Sequence, residues 1–489
     1  MDELTAKACT ARSFIGNWRI QEKTYPEEFM GELVYDPIKG IHKLTLYGVC
    51  IFPDLDLPKF PAITGTVTTG EKVSVFDSLV TNSNTGRRDL LSRKTVFTFT
   101  SLCIGDECFT LKGQIRLRSY SFRCSNLETW FGFHPIRHSI SPKRNRSLVA
   151  INFPPLLTLY EDDFVRIKLV TMINQNMAPG SLNVSYCHKV SIEAKGNRKL
   201  PYYGDDNSFS YYENIIYSFF CLVIGKHAFS FGRIGTTKKQ RIILPTEKGS
   251  TLLKGKRYVV PQRIELLNAC KKDESWFDPI PPQRTLVHYN QLKGPMLTCV
   301  IKEFFEKYSH FGFILDDWIA MKNCSAYTNY SLPEMLYNFE GLHRSLYPEC
   351  DTSAGYKASI SAIHAISPFE DYDRVINNKK HELPFRQRLQ DILLVKTDSI
   401  FQFLSVSQRQ CIIDDLLKTR NNAAHEGRGP VLPFSKVVSY IFLCEELIAI
   451  MIFQHIGLQI EQIRKILQDS WEWLDLKKML MENLEEKKS

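Results

Sequence analysis

The stretch from Asp414 to Gly427 reads DDLLKTRNNAAHEG, and the interpretation of the whole chain starts from it. It places Arg420 and His425 at the end of a segment whose apolar residues have helical spacing. Arginine is a permanent cation with a planar fork of donors that matches phosphate. Histidine exchanges a proton near neutral pH. Held close together, the two side chains could grip a phosphodiester and move a proton.

A purely structural role explains the same two residues. The segment could simply be a helix end, with Arg420 on a solvated face. His425 would then lie beside the last carbonyl groups of the helix, where a positive charge is favoured. The spacing of the two residues does not separate this interpretation from a catalytic one.

The motif and its surroundings resemble a known family. Arg420, Asn421 and His425 form an Arg-Asn-x-x-x-His pattern, which resembles the R-x(4–6)-H motif of HEPN domains. The flanking sequence resembles the Apea-like HEPN domain in three segments: MLYNFEGLHR at 335–344, LPFRQRL at 383–389, and the long apolar helix after the motif. The N-terminal half resembles the domain that precedes HEPN in that family, through GELVY at 31–35, KG at 39–40 and LTLYG at 44–48.

The resemblance implies metal-independent cleavage of RNA without a cofactor. Arg420 would stabilise the charge that develops on the phosphorus. His425 would transfer a proton at the attacking 2′-hydroxyl or the departing 5′-oxygen. Asn421 would hold the phosphate or orient His425. Glu340 would hold the fork of Arg420, although a pair with Arg344 at i, i+4 accounts for it equally well.

Other basic residues are candidates for RNA contact, and a plain surface position is the alternative for each. Two of them, Lys418 and Arg428, flank the motif. Another two, Arg144 and Arg146, belong to a basic cluster that follows Phe131 and Phe133. Aromatic and basic residues together bind single-stranded nucleic acid by stacking and charge neutralisation.

The resemblance also implies a homodimer that pairs through the HEPN domain. Residues five apart on a straight helix lie on different faces, so Arg420 and His425 do not converge on one unbroken helix. Glycine and proline between Gly427 and Pro430 are expected to end the helix. HEPN nucleases combine residues of two subunits in one cleft. The apolar helix at 433–455 is then either the central helix of a bundle or partly buried by a second subunit.

The pattern of the whole chain predicts an α+β protein. A chain of 489 residues is longer than a single hydrophobic core usually supports, so we expect more than one domain. Short alternating runs from Phe14 to about Phe231 predict strands of a β-rich sandwich or barrel, with one helix at 211–225. The proline-rich stretch at 277–283 marks a boundary. We therefore expect a β-rich domain at 1–285, which senses a trigger or captures RNA, and an α-helical HEPN domain at 286–489.

The helical period in the second domain predicts an all-α bundle. The predicted helices are 296–308, 311–321, 332–347, 385–395, 407–420, 433–455 and 459–484. Residues 359–366 could add another helix, whereas 371–382 has the composition of a charged loop.

Composition excludes several classes of protein. The 13 cysteines show no zinc-ligand spacing, so we expect no metal and free thiols in the cytoplasm. No apolar run is long enough for a membrane span, because Glu445 and Glu446 interrupt the best candidate at 437–457. The N-terminus lacks the apolar core of a signal peptide. Phosphate-loop, nucleophile-elbow and His-Glu-x-x-His motifs are missing from the sequence.

The positive charge is concentrated in the N-terminal part. The net charge is +9, but residues 291–489 carry 23 Lys and Arg against 26 Asp and Glu. Residues 1–290 therefore carry 39 Lys and Arg against 27 Asp and Glu, which gives a net charge of +12. Nucleic-acid affinity depends largely on neutralising phosphate charge, so RNA would be attracted mainly by this part.

Two functions follow from these observations. The first is a ribonuclease that acts in anti-phage defence by arresting growth, cleaves transfer or messenger RNA, and is activated by a phage-derived trigger. The second is a non-catalytic HEPN scaffold that binds RNA or a partner. Cleavage of RNA that depends on His425 would separate them.

Overall fold

The computed structural model describes residues 10–22, 24–25, 27–51, 59–84, 93–141, 146–152, 156–178, 181–196, 198–226, 228–244, 256–268, 278–322, 330–426 and 432–485. For 137–141, 146–151, 174–178, 181–184, 239–244, 256–261, 425–426 and 485 it describes the backbone only. The chain divides into two compact units. A β-rich unit comprises Met1–Glu128, Phe133–Asn214 and Ala228–Pro279, and a helical unit comprises Thr129–Gly132, Ile215–His227 and Ile280–Ser489.

The β-rich unit is built from antiparallel strands. They are β1 Arg12–Ile20, β2 Glu28–Asp36, β3 Ile41–Tyr47, β4 Lys59–Val67, β5 Lys72–Asn84, β6 Lys94–Thr98, β7 Ser101–Gly105, β8 Arg116–Leu117, β9 Ser119–Cys124, β10 Ile136–Ser141, β11 Arg146–Ile151, β12 Leu157–Glu161, β13 Val165–Ala178, β14 Ser181–Ala194, β15 Leu200–Pro201, β16 Ser230–Leu244 and β17 Lys256–Asn268.

The first six strands close into a barrel. The order β5-β4-β1-β2-β3-β6 returns to its start because β6 pairs with both β3 and β5. In the register, Thr98 lies opposite Lys43 on β3 and Leu79 on β5. Inward-facing residues such as Trp18 and Phe97 are fully buried, as the alternation of apolar and polar residues predicts.

Two glycines allow Trp18 to fill the barrel. A Cβ atom at Gly65 would lie 2.5 Å from Cε3 of Trp18, and one at Gly31 would lie 2.9 Å from its Cδ1. The indole Nε1 donates a hydrogen bond to the carbonyl oxygen of Gly31 at 3.2 Å. A larger residue at either glycine would displace the indole, so the packing of Trp18 in the barrel requires glycine at both positions.

The sheet continues beyond the barrel as an open layer. The first half of β5 pairs with β7, and the order then runs β7-β17-β16-β9-β14-β13-β12. The strands β10 and β11 form a separate hairpin, and β8 pairs with β15. The predicted β-rich, barrel-like fold is confirmed, and the structure adds the open sheet.

The described helices are α1 Leu127–Phe131, α2 Phe209–Ile224, α3 Tyr289–Leu292, α4 Pro295–Lys322, α5 Ser331–Leu346, α6 Ser353–Ile366, α7 Tyr372–Ile376, α8 Phe385–Gln390, α9 Val406–Glu426, α10 Phe434–His455, α11 Ile460–Gln468 and α12 Trp471–Glu485. A π-helical turn, Asp391–Lys396, continues α8. The predicted all-α region after the β-rich part is confirmed.

Some predicted helix boundaries were wrong. The two helices expected at 296–308 and 311–321 are the single helix α4. The one expected at 459–484 is interrupted between α11 and α12. The expected charged loop at 371–382 contains the short helix α7. Ser309 and His310 within α4, and Asp469 and Ser470 between α11 and α12, are polar residues that are compatible with both a helix and a turn.

The helical unit includes segments that are distant in sequence. Helix α2 begins in the β-rich unit, but its larger part, from Ile215 onwards, belongs to the helical unit. There Phe219 packs on Phe304 of α4 with ring centroids 5.4 Å apart. Trp130 of α1 packs on Phe220 of α2 in the same way, at 5.4 Å. Both segments lie within the 1–285 range that the sequence assigns to the N-terminal domain.

Helix α10 is apolar along most of its length. It is long and apolar enough to cross a membrane, but 83% of its most apolar window is buried inside the structure. Glu445 and Glu446 in its middle are themselves buried. Lys322 lies 2.7 Å from Oε2 of Glu445. Burial on all sides and an internal ion pair are the features of a core helix.

Ten cysteines lie in the described residues, and all ten are free thiols. The other three, Cys9, Cys270 and Cys324, lie outside the described residues.

Candidate functional site

Helix α9 positions Arg420 at the border between core and solvent. Residues on its inner face, including Ile412, Ile413 and Leu416, are fully buried. Thr419 is buried as well, and its hydroxyl donates to the carbonyl oxygen of Asp415 at 2.9 Å. The next residue, Arg420, has a side chain that is 25% exposed. The guanidinium is therefore fixed by neighbours and still borders solvent.

Three side chains surround the guanidinium of Arg420. Its Nη2 donates to Oε2 of Glu340 at 3.3 Å. Its Cζ lies 5.8 Å from the ring centroid of Tyr337 and 5.5 Å from that of Phe385. Both distances are within the range of a cation–π interaction. Because three contacts from two different segments constrain one planar group, its orientation is set before any ligand binds.

Glu340 contacts two arginines at once. Its Oε1 accepts from Nη2 of Arg344 at 3.0 Å, and its Oε2 accepts from Arg420. The two pairings that the sequence offers as alternatives are thus both present. Arg344 also lies 2.8 Å from Oε1 of Glu382. The Glu340 side chain is only 13% exposed, so its charge acts on both arginines in a partly desolvated setting.

The backbone of His425 lies on the same helix as Arg420. Helix α9 continues through Glu426, beyond the predicted end at 420. Five residues of regular helix rotate a side chain by about 140° around the axis. Positions 420 and 425 of the backbone therefore lie on different faces of α9. The side chain of His425 lies outside the described residues.

The other predicted RNA contacts are described only in part. Lys418 and Asn421 are exposed on α9. Arg428 and Arg144 lie outside the described residues, and Arg146 is described only as backbone in β11. The structure brings Glu340 to Arg420, and both Lys418 and Asn421 lie within two positions of Arg420 on the same helix.

Comparison with protein families gives two matches. The family model described as ApeA N-terminal domain 1 matches residues 13–250, and the one described as Apea-like HEPN matches residues 336–462. The chain belongs to the ApeA family of HEPN-domain proteins. The second match includes Glu340, Arg420, Asn421 and His425. Comparisons with curated proteins and with solved structures gave no match.

Two aromatic residues of the HEPN domain were missed by sequence reasoning. Tyr337 and Phe385 touch the guanidinium, although neither was a candidate. For Tyr337 a signal existed, because it precedes Glu340 by three positions on α5 and shares its face. Phe385 has no such signal, since its contact with Arg420 depends on how α8 packs against α9.

The carboxylates that begin the motif have different partners from those expected. Sequence spacing favours Lys418 and solvent as partners for both. Instead, Asp414 lies 2.7 Å from Nη2 of Arg386. Asp415 accepts from the hydroxyl of Tyr440 at 2.9 Å and lies 3.2 Å from Nζ of Lys436. The partners come from α8 and α10, whose position the spacing along α9 does not show.

A buried polar network lies behind the Arg420 site of the HEPN domain. Nη1 of Arg388 donates to Nδ1 of His343 at 3.0 Å, so the ring proton is on Nε2, which faces Oδ2 of Asp391 at 3.0 Å. Burial lowers the pKa of His343, and the hydrogen bond to Asp391 partly opposes this. Nη2 of Arg388 contacts both carboxylate oxygens of Asp351 at 2.8 Å.

The same network has the composition of a metal site. His343, Cys350 and Asp391 offer ligand atoms that lie within 4.8 Å of one another. However, Nε2 of His343 donates its proton to Asp391, and Nζ of Lys396 is 3.5 Å from the same carboxylate oxygen. A metal ion would have to displace that proton beside an ammonium group. The donor set therefore fits a hydrogen-bonded support for α5 and α8 better than a metal centre.

Phe339 connects this network to the site. Its ring centroid is 6.5 Å from that of His343 and 6.5 Å from that of Phe385. Phe385 in turn lies under the guanidinium of Arg420. The packing extends without interruption from the buried charges to the candidate site.

Proposed function

We propose that this protein is a metal-independent endoribonuclease of the HEPN class that acts in anti-phage defence through abortive infection. Its HEPN domain occupies 286–489, and the β-rich region 1–285 captures RNA or a phage-derived trigger. Transfer RNA or messenger RNA in the cytoplasm is the target. The observation that carries the proposal is the partly exposed guanidinium of Arg420, held by Glu340, Tyr337 and Phe385 within the segment that matches the HEPN family.

The chemistry is an internal transfer at phosphorus. The 2′-oxygen of the ribose attacks the neighbouring phosphorus, the new P–O2′ bond forms, and the P–O5′ bond breaks. The 2′-hydroxyl loses a proton and the departing 5′-oxygen gains one. The products are a 2′,3′-cyclic phosphate and a 5′-hydroxyl. DNA lacks the 2′-hydroxyl and would not be cleaved.

Arg420 and His425 have different chemical roles in this proposal. The guanidinium offers donors to the non-bridging oxygens, whose negative charge increases in the transition state. The imidazole of His425 transfers a proton at the 2′- or the 5′-oxygen. Asn421 and Lys418 are exposed beside Arg420 on α9 and contact the phosphates of the RNA backbone. Arg428, Arg144 and Arg146 contact other phosphates of the same RNA. Glu340 keeps Arg420 in position.

Two subunits complete the site in this proposal. The rotation of about 140° between Arg420 and His425 on α9 prevents a shared cleft within one regular helix. A two-fold dimer through the HEPN domain places the arginine of one subunit against the histidine of the other. Exposed aromatic residues on α5 and at its N-terminal end support this pairing. Tyr337 is 44% exposed, and Tyr330, seven positions earlier, is 65% exposed.

The test is cleavage of RNA by purified protein. Full-length protein is incubated with total RNA in EDTA, and the new 5′ ends are sequenced. We expect 5′-hydroxyl products with the parent protein and their loss in Arg420→Ala and His425→Ala. Arg464→Ala is the matched control, because Arg464 is a cation of the same domain that pairs with Glu461 on α11. Binding of RNA without cleavage would establish the scaffold function instead.

A further inference from the structure

The open sheet of the β-rich unit contains a large cavity. Its volume is about 880 Å³, and residues of β7, β9, β14, β16 and β17 line it. Cavities of roughly 300–1,000 Å³ hold cofactors and other small ligands. All the lining residues belong to the β-rich unit. The cavity is therefore separate from the Arg420 site in the HEPN domain.

Strand alternation explains why this face of the sheet is polar. On β9, Tyr120 and Phe122 are fully buried, whereas Ser119, Ser121 and Arg123 alternate with them. On β14, Val190 and Ile192 are buried and Lys189 lies between Cys187 and Ser191. One face thus packs into the core, and the other faces the cavity.

Five cationic side chains line the cavity, and three of them are neutralised. Arg12 is 2.7 Å from Glu265, Arg233 is 2.7 Å from Glu213, and Arg123 is 3.2 Å from Glu128. The other two are Lys189 and Arg263. Within the described part of the chain, neither has a hydrogen-bond or ion-pair partner.

Two further carboxylates line the cavity without neutralising Lys189. Glu71 acts on Arg12: the hydrogen bond to Glu265 raises the pKa of Arg12, burial opposes this rise, and the charge of Glu71 adds a smaller rise. Asp106 is exposed at the end of β7. Burial lowers the pKa of Lys189, Cys187 opposes this, and the charge of Arg263 lowers the pKa further. Lys189 is thus partly desolvated and repelled by a neighbouring cation, and a bound anion would relieve both effects.

Apolar side chains also line the cavity. Ile234 is 41% exposed, and Met172 is 38% exposed. In the register of β16 and β9, Ile234 lies opposite Ser121. The cavity therefore offers apolar surface and hydroxyl groups in addition to two cations that have no carboxylate partner among the described residues.

We propose that this cavity binds a free nucleotide, with its phosphate between Lys189 and Arg263 and its base and sugar against Met172, Ile234 and Ser121. Phosphate satisfies the two cations, the planar base covers the apolar surface, and the serine hydroxyls offer hydrogen bonds to the sugar. A ligand of this class fits the volume. An inorganic anion would leave the apolar surface uncovered, and a nucleoside would leave the two cations unpaired.

Calorimetric titration of the full-length protein tests the proposal. The probes are the four ribonucleoside 5′-monophosphates and triphosphates, the four nucleosides, and inorganic phosphate. We expect at least one nucleotide to bind, and its nucleoside and phosphate to bind at least tenfold more weakly. Lys189→Ala and Arg263→Ala should each weaken that binding at least tenfold. Lys43→Ala is the matched control, since Lys43 is an exposed cation on β3 outside the cavity.

A further variant distinguishes a direct loss of nucleotide binding from misfolding of the protein. Ser121→Trp leaves both cations in place and puts an indole where the base and sugar would lie, so it should abolish binding while the melting temperature stays near that of the parent. If no nucleotide binds the parent, the proposal is wrong. It is equally wrong if binding survives in Lys189→Ala, Arg263→Ala and Ser121→Trp. Strong binding of inorganic phosphate alone would show an anion site without nucleotide recognition and would also overturn it.

Discussion

Arg420 donates a hydrogen bond from Nη2 to Oε2 of Glu340 at 3.3 Å, although the two residues are 80 positions apart in the sequence. The bond joins α9 to α5. The other oxygen of the same carboxylate holds Arg344. One partly buried carboxylate thus holds both the arginine of the motif and Arg344. The contribution of each arginine can therefore be tested by a separate substitution.

Replacing Glu340 should slow cleavage without removing a reacting group. Glu340→Gln keeps the shape of the side chain and removes its charge, so the fork of Arg420 is held less firmly. We expect kcat to fall roughly tenfold, equivalent to about 1.4 kcal/mol, with KM nearly unchanged. Steady-state cleavage of a labelled RNA measures both constants.

Arg344→Gln is the control for Glu340, because it removes the other arginine and leaves the carboxylate. Its kcat should remain within roughly threefold of the parent. If Arg344→Gln loses as much activity as Glu340→Gln while both proteins melt like the parent, Glu340 does not act through Arg420.

The shape of the Arg420 side chain should matter as much as its charge. Arg420→Lys keeps a cation, but it loses the planar fork that touches Glu340 and lies over Tyr337 and Phe385. We expect cleavage to fall by about two orders of magnitude, corresponding to ~3 kcal/mol. Single-turnover rates at saturating protein measure the effect. Arg464→Lys should retain its activity, and an unchanged rate in Arg420→Lys would mean that a point charge is sufficient.

Mixing two inactive variants tests the composite site. If each cleft takes Arg420 from one subunit and His425 from the other, a heterodimer of Arg420→Ala and His425→Ala contains one intact cleft. After subunit exchange in an equimolar mixture, roughly a quarter of the parent activity should return. Cleavage is followed before and after exchange. If exchange is verified by mass and no activity returns, the two residues do not work across subunits.

Glu446 should make stability depend on pH. Complete burial raises the pKa of Glu446 to about 8. The positive charge of Lys322 lowers this pKa, and the negative charges of Glu472 and Glu445 raise it. The unfolded carboxyl group ionises near 4.5. Between these values the folded state binds the additional proton, so the free energy of unfolding falls as pH rises from 4.5 to 8. Glu446→Gln should remove this fall and be more stable than the parent at the upper limit by more than ~2 kcal/mol.

Urea unfolding at several pH values measures the Glu446 effect. Glu461→Gln is the control, since Glu461 is an exposed carboxylate whose side chain is 56% accessible. It should leave the pH dependence unchanged. An equal slope in the parent and in Glu446→Gln would show that Glu446 ionises normally in the folded protein.

Removing Asp351 should destabilise the helical unit. Arg388 is fully buried, and its Nη2 contacts both oxygens of Asp351. In Asp351→Ala the guanidinium loses that carboxylate, and we expect a loss on the order of 3 kcal/mol in the free energy of unfolding. Asp373→Ala on α7 removes an exposed carboxylate and should cost less than about 0.5 kcal/mol. Comparable values for the two variants in urea unfolding would contradict a structural role for the Arg388 network.

The fold class followed from local patterns. Alternating apolar residues predict the strands, and the helical period after the proline-rich stretch predicts the bundle, because both periods arise from backbone geometry alone. The closure of the barrel did not follow. It depends on β6 pairing with both β3 and β5, and no local signal states which strand edges meet.

At the candidate site, the sequence supplied the candidate reacting groups but few of their neighbours. Arg420, Asn421 and His425 are recognised from one short motif. The contact with Phe385 and the partners of Asp414 and Asp415 depend on how α8 and α10 pack on α9. Side-chain contacts between helices are set by packing of complementary surfaces, which the spacing along one helix does not encode.

By itself, the amino-acid sequence determined that a β-rich region precedes a helical HEPN domain, and that the Arg-Asn-x-x-x-His motif lies at the end of a helical segment. Periodicity and a six-residue motif are properties of contiguous residues, so the sequence alone contains them. Only the tertiary structure decided that Glu340 joins Arg420 to Arg344, that part of α2 belongs to the helical unit, and that Lys189 and Arg263 line one cavity. Each of these depends on residues that are far apart in sequence, and they are brought together only when the buried apolar faces of strands and helices pack.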